Sequence, residues 1–132
     1  MNFLAHAFLS GDNDEILVGN FIADAVKGKD AKRFSPGVQN GIKLHRQIDT
    51  YTDNHPVFIK SKGRIQGEYG KFAGVIIDIY YDHFLALHWN NYSEKDLSEF
   101  AVKVYPLMLN NYKILPARLY YIGPYGIGIC CP

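Results

Sequence analysis

Cysteine is scarce in this sequence: Cys130 and Cys131 are the only two, and they are adjacent. Neighbouring thiols staple no loop, so a disulfide framework is excluded and a reducing compartment is expected. Long apolar runs are missing as well. No stretch approaches the roughly 20 residues of a membrane span. The start, MNFLAHAFLSGDNDE, lacks the basic leader of a signal peptide. A cytoplasmic protein without a membrane partner is expected. Nor is there an excess of one charge: 14 Lys and Arg meet 13 Asp and Glu, for a formal net charge of +1. That argues against a broad nucleic-acid-binding surface. There is no P-loop, no GxGxxG fingerprint and no G-x-S-x-G nucleophile elbow. Repeats and low-complexity segments are absent too.

What remains is an ordinary globular composition. The chain has 132 residues, 48% hydrophobic and 20% charged, enough for one domain over 1–132 with a core that needs no staples. Helix signals dominate. Asp12 followed by Glu15 reads as a capping box ahead of a helix carrying Ile16, Leu17, Phe21 and Ile22. KGKDAKRF reads as a basic loop. Ser35-Pro36 opens a helix that should stop near His55-Pro56, because proline disfavours helix at its predecessor. A further helix is expected over VFIKSKGRIQGEY, one long helix from Gly70 to Trp89, and one after Ser93 and Asp96 that Pro106 should kink or shorten. No strand pattern or hairpin turn stands out. The fold class is all-α, a single-domain bundle of five or six helices.

Several of these helices carry polar groups where apolar ones are expected. In DIYYDHFLALHW, Asp78 and Asp82 fall within about 40° of each other on a helix. Their stripe includes Val75, Leu85 and Trp89, and the opposite stripe carries Ile76, Tyr80 and Leu87. A helix apolar nearly all round is expected to be buried, so its carboxylates need cations, donors or a metal. His45 and Asp49 repeat the arrangement on the core-facing stripe of Val38, Ile42 and Ile48. Asp24 ends its helix, where a carboxylate is the disfavoured charge and wants a partner. His6 sits in the apolar FLAHAF. Each has a plain structural alternative: His6 as a hydrogen-bonded core histidine, Asp53 as a helix-end residue, Asp78 and Asp82 in salt bridges to Arg46, Arg64 or Lys71. Taken together, inward His and Asp on four helical segments point to a metal, and carboxylate-rich ligands favour Mn²⁺, Mg²⁺ or Fe²⁺ over a structural zinc.

The blocks MNFLAHAFLS, VGNFIADAVKG, GIKLHRQIDTYTDNHP and DIYYDHFLALHW, in this order and spacing, resemble the acyl carrier protein phosphodiesterases over residues 1 to about 118. That family is similar, distantly, to the all-helical HD-type metal-dependent phosphohydrolases. The resemblance implies hydrolysis of the phosphodiester joining 4′-phosphopantetheine to a serine of acyl carrier protein, with a divalent metal, Mn²⁺ foremost. It implies His6, Asp24, His45, Asp49, Asp78 and Asp82 as metal ligands, and His83, His55 and Asp53 in catalysis. His83 or His55 would hold the attacking water or protonate the leaving oxygen. In this chain the adjacent pair is Asp82-His83, the reverse of His-Asp order. The basic segment Lys27, Lys29, Lys32 and Arg33, with Lys60, Lys62 and Arg64 as a second set, would steer the acidic carrier protein. Two alternatives stand beside this: another HD-like phosphohydrolase acting on nucleotides or small phosphodiesters, and an inactive module that only docks a carrier protein. From about residue 119 the chain departs from the family pattern. YYIGPYGIGICCP has no charged side chain, three glycines and two prolines. It reads as a shortened or altered end that leaves apolar surface to a neighbouring chain, and so as a possible homo-oligomer contact.

Overall fold

The computed structural model describes residues 3–114 together with 122–123 and 126–127. Six α-helices carry the described part: α1 (Phe3–Leu9), α2 (Asp14–Ile22), α3 (Pro36–Asn54), α4 (Pro56–Tyr69), α5 (Ala73–Leu87) and α6 (Leu97–Asn110). Short 3-10 turns join them. The all-α expectation holds, and no helix among the described residues is long and apolar enough to cross a membrane. Contrary to the sequence reading, a minimal antiparallel ladder forms, β1 (Ile122–Gly123) with β2 (Gly126–Ile127), Ile122 opposite Ile127. Two residues per strand are too few to show alternation. The rest of the apolar tail lies outside the described residues.

Local chemistry sets the helix ends. Ser35 caps α3 by accepting from the Val38 N–H, and Pro36 takes the first helical position. α3 stops at Asn54, and His55 caps α4 through Nδ1, which accepts from the Val57 N–H at 3.3 Å. The cap of α2 is Asn13, not Asp12: its Oδ1 accepts from the Ile16 N–H at 3.0 Å. Asp12 turns instead to Lys103 of α6, 3.0 Å away, and Glu15 accepts from the Ser35 hydroxyl. The basic segment is a 3-10 helix over Gly28–Arg33, not a loop. The long helix expected over 70–89 is broken into a 3-10 turn (Gly70–Phe72), α5 and a second turn (Trp89–Asn91). Gly70 ends α4 with φ +53°, a conformation that glycine reaches without strain. α6 runs past Pro106 to Asn110.

The core gathers Leu17, Val18 and Ile22 of α2, Val38 and Ile42 of α3, and Met108 of α6. Its tightest point is the crossing of α2 and α3. A Cβ on Gly19 would lie 2.1 Å from the Val38 carbonyl oxygen, and one on Gly41 would lie 2.2 Å from that of Ile16. Only glycine admits this approach, and it sets Asn20 beside His45 in the next turn of α3. α5 corrects another expectation. It is apolar nearly all round, yet only Ala73 and Ile77 of its residues are buried, while Val75, Ile79, Tyr80, Phe84 and Leu87 are exposed.

Candidate metal centre

The first turns of the chain bring His6 to the α2–α3 crossing. α1 is anchored there by Asp82 of α5, whose two carboxylate oxygens accept from the Leu4 and Ala5 N–H groups at 2.9 and 3.0 Å. These are donors that a helix N-terminus leaves unpaired. The His6 ring then stacks on that of His45, centroids 4.0 Å apart and planes 14° from parallel. Both rings are buried.

Asn20, also buried, stands behind the two rings. Its Oδ1 accepts from Nδ1 of His6 at 2.9 Å and from Nδ1 of His45 at 3.0 Å, and its backbone oxygen takes the same His45 nitrogen at 2.8 Å. With Nδ1 the donor on each ring, Nε2 is the face left over. His6 Nε2 lies 3.0 Å from Asp49 Oδ1, and His45 Nε2 lies 3.2 Å from Asp49 Oδ2 and 3.1 Å from Asp24 Oδ1. The carboxylates face outward, with the Asp49 and Asp24 side chains 47% and 43% exposed against 4% for the histidines, so a small ligand can reach the cluster from solvent. Asp24 thus finds the partner that its place at a helix end demands.

The electrostatics follow. Burial disfavours a charged His45, but hydrogen bonds to Asp24 and Asp49, and their charge, outweigh it and push its pKa up to about 9. Burial likewise raises Asp49, but the hydrogen bonds and charge of His45 and His6 prevail and hold it well below the usual carboxylate range. Two neutral rings would aim bare Nε2 lone pairs at carboxylate oxygens about 3 Å away, which repels. The cluster is stable only with cations between these atoms, either protons on the rings or a metal. His6, His45 and Asp49 form a group whose ligand atoms all lie within 4.8 Å of one another. Two imidazoles and carboxylates suit a divalent ion of the Mn²⁺, Fe²⁺ or Zn²⁺ kind.

The other residues singled out in the sequence lie elsewhere. Asp82 serves α1, and burial raises its pKa against the pull of the Leu4 and Ala5 N–H groups. Asp78 is half-buried on α5. His55 caps α4 and leans on Tyr51 at 5.6 Å, and Asp53 is exposed one turn beyond Asp49. His83 is exposed, its ring edge-on to Phe84. Lys27, Lys29, Lys32 and Arg33 are exposed immediately after Asp24. Sequence reasoning missed Asn20. Its signal was there: a lone amide inside the apolar VGNFIA, four residues before Asp24 and so on the same helix face.

Comparison with known proteins rests on the sequence. The family model for acyl carrier protein phosphodiesterase matches residues 1–127, further than the four motif blocks reach. A relative with that name from Photorhabdus laumondii is 41% identical over 90 residues, 68% of this chain and 46% of the relative. One from Yersinia enterocolitica is 32% identical over 126 residues, 95% of this chain and 65% of the relative. A third, from Salmonella agona, is 41% identical over 93 residues. The chain spans about half to two thirds of the length of these relatives. No solved structure matches it. With a match over nearly its whole length, the chain belongs to the acyl carrier protein phosphodiesterase family.

Proposed function

We propose that this chain is a phosphodiester hydrolase that removes 4′-phosphopantetheine from the serine of holo-acyl carrier protein, giving apo carrier protein and free 4′-phosphopantetheine. The observation that carries the reading is the convergence of His6 Nε2, His45 Nε2 and the Asp49 carboxylate, open on the carboxylate side. His6, His45, Asp49 and Asp24 would hold a divalent ion there, Mn²⁺ in the first instance. Such an ion supplies a more acidic water and a polarised phosphoryl oxygen. The residues do the rest. Asn20 keeps Nδ1 of both rings occupied and so keeps both Nε2 atoms on the ion side. Asp49 reaches both rings, and Asp24 closes the side next to the basic segment. Asp53 and His55 follow Asp49 at the α3–α4 junction, where Asp53 is exposed, and these two or His83 would pass the proton to the leaving serine oxygen. Asp78 and Asp82 would act from α5, Asp82 by holding the turn that carries His6. The exposed Lys27, Lys29, Lys32 and Arg33 would steer an acidic carrier protein to the cluster and raise the on-rate.

The test is incubation of holo-acyl carrier protein with the chain and Mn²⁺, followed by intact-mass spectrometry of the carrier protein. Loss of the whole phosphopantetheine group is expected, together with a loss of at least about 100-fold in rate for Asp49→Asn. A carrier protein that keeps its mass, alongside turnover of a nucleotide or small phosphodiester, would redirect the reading to another phosphohydrolase. Carrier binding without metal uptake or turnover would make the chain a docking module.

A further inference from the structure

We infer that Asn20 is a positioning residue that fixes which nitrogen each histidine offers to the ion, an inference that rests on the metal reading above. The orientation of its amide is settled by neighbours other than the histidine rings. Nδ2 donates to the His6 carbonyl oxygen at 2.9 Å and to the Ser10 hydroxyl oxygen at 2.9 Å, while that hydroxyl donates to the same His6 carbonyl at 2.8 Å. Turning the amide over would set Oδ1 against a carbonyl oxygen, two acceptors with no hydrogen between them. Oδ1 therefore faces the rings. It is an acceptor only, so each Nδ1 that meets it must carry hydrogen. Oδ1 thus sets the His6 tautomer by itself and that of His45 together with the Asn20 backbone oxygen. Because the rings are stacked nearly parallel, the same decision puts both Nε2 atoms on the side of Asp49 and Asp24.

Asn20 is 1% exposed, so water cannot replace it as an acceptor. A leucine in its place would match its size but leave two buried N–H groups without Oδ1. His45 would keep only the backbone oxygen of residue 20, and His6 would have no fixed tautomer. An aspartate would keep the acceptor for both rings, at the cost of a buried charge whose second oxygen faces the His6 carbonyl where Nδ2 donated. The comparison separates positioning from mere structure: Asp should rescue the rings, whereas a residue needed only for the bonds to His6 and Ser10 should fail alike as Asp or Leu.

The experiment is imidazole nitrogen–proton NMR on the full metal-free chain, with Mn²⁺ titration beside it. Wild type should show two slowly exchanging Nδ1–H groups, from His6 and His45. Asn20→Asp should keep both and bind Mn²⁺ within about threefold of wild type, while Asn20→Leu should lose the His6 signal and bind about 10–100-fold more weakly. Asn20→Leu with wild-type Mn²⁺ affinity would overturn the inference. So would folded Asn20→Asp that loses both signals, which decides the matter even if the leucine variant does not fold. Wild type without the two Nδ1–H signals overturns it whatever the metal does. Wild type that shows both signals yet takes up no divalent ion overturns the metal reading instead and leaves the ring-locking standing.

Discussion

The α2–α3 crossing and the outer arc of α5 are made of much the same residues, and their fates are opposite. α2 reads DEILVGNFI and α5 reads AGVIIDIYYDHFLAL. In the first, Leu17, Val18 and Ile22 are at most 2% exposed; in the second, Ile79 is 61% exposed and Leu87 64%. Hydrophobicity does not separate them, since both are apolar. What separates them is approach. Gly19 and Gly41 let α2 and α3 come together backbone to backbone, and the core forms around that contact. α5 meets α1 and α4 with one side and has no such partner among the described residues on the other. The lesson is that an apolar period says which face can be buried, and close packing says which one is.

The sharpest way to break the comparison is at the crossing. Gly41→Ala would drive a Cβ into the Ile16 carbonyl, a backbone atom that cannot swing aside. The expected outcome is a loss of at least about 3 kcal/mol, enough to unfold a marginal domain. Gly63→Ala on α4 meets nothing within 4 Å and should stabilise by about 0.5–1 kcal/mol, through helix propensity alone. Urea midpoints of the two variants check both signs.

Within α5 the same contrast can be drawn two residues apart. Ile77 is 7% exposed and Ile79 is 61% exposed. Ile77→Ala should cost about 2–4 kcal/mol, and Ile79→Ala should stay within about 0.5 kcal/mol. Equal, large losses would show that the outer arc is covered in solution.

The site gives the crossing a pH dependence of its own. His45 has its folded pKa raised from 6.5 to about 9. A raised pKa means that the folded state binds the proton more tightly. That stability is fully present below about pH 6.5 and is lost as pH rises through about 9. Melting curves in chelator should therefore fall across this window, and His45→Gln should flatten them. Since a metal competes with the same proton, Mn²⁺ affinity should rise over the same range.

What the sequence discloses follows the range of the chemistry involved. Ser35-Pro36 and His55-Pro56 mark the ends of α3 correctly because capping and proline sterics act within a few residues. His6, Asp24, His45 and Asp49 are legible because charged and imidazole groups on apolar stripes have few reasons to be there. Asn20 is marked only as a lone amide in an apolar stretch, and its role cannot be assigned until two rings are placed against it. Gly19 and Gly41 look like weak helix formers until the partner backbone is known. The α2 cap falls at Asn13 and not at Asp12, which meets Lys103, 91 residues away, a contact that no local pattern announces. α5 reads as buried from its sequence because period alone cannot tell a covered face from a bare one.

A small effect on stability is also expected at Asp82, where the two regions meet. This carboxylate sits on the inner side of α5 and holds the start of α1, which delivers His6 to the crossing. Burial makes its charge costly, and the raised pKa has the opposite sign to that of Asp49 as a contribution to stability at neutral pH. Asp82→Asn removes the charge and keeps one acceptor oxygen. It gives up one N–H bond and the attraction to the helix N-terminus, and it sheds the cost of a half-buried anion. These terms offset, so melting in chelator should change by about 1 kcal/mol or less. Mn²⁺ affinity then separates two roles. An Asp82 that works through α1 should shift it by only a few-fold, because His6 stays roughly in place. An Asp82 that also touches the ion should cost at least about 100-fold. Calorimetric titration of the variant decides between a carboxylate that positions the site and one that belongs to it.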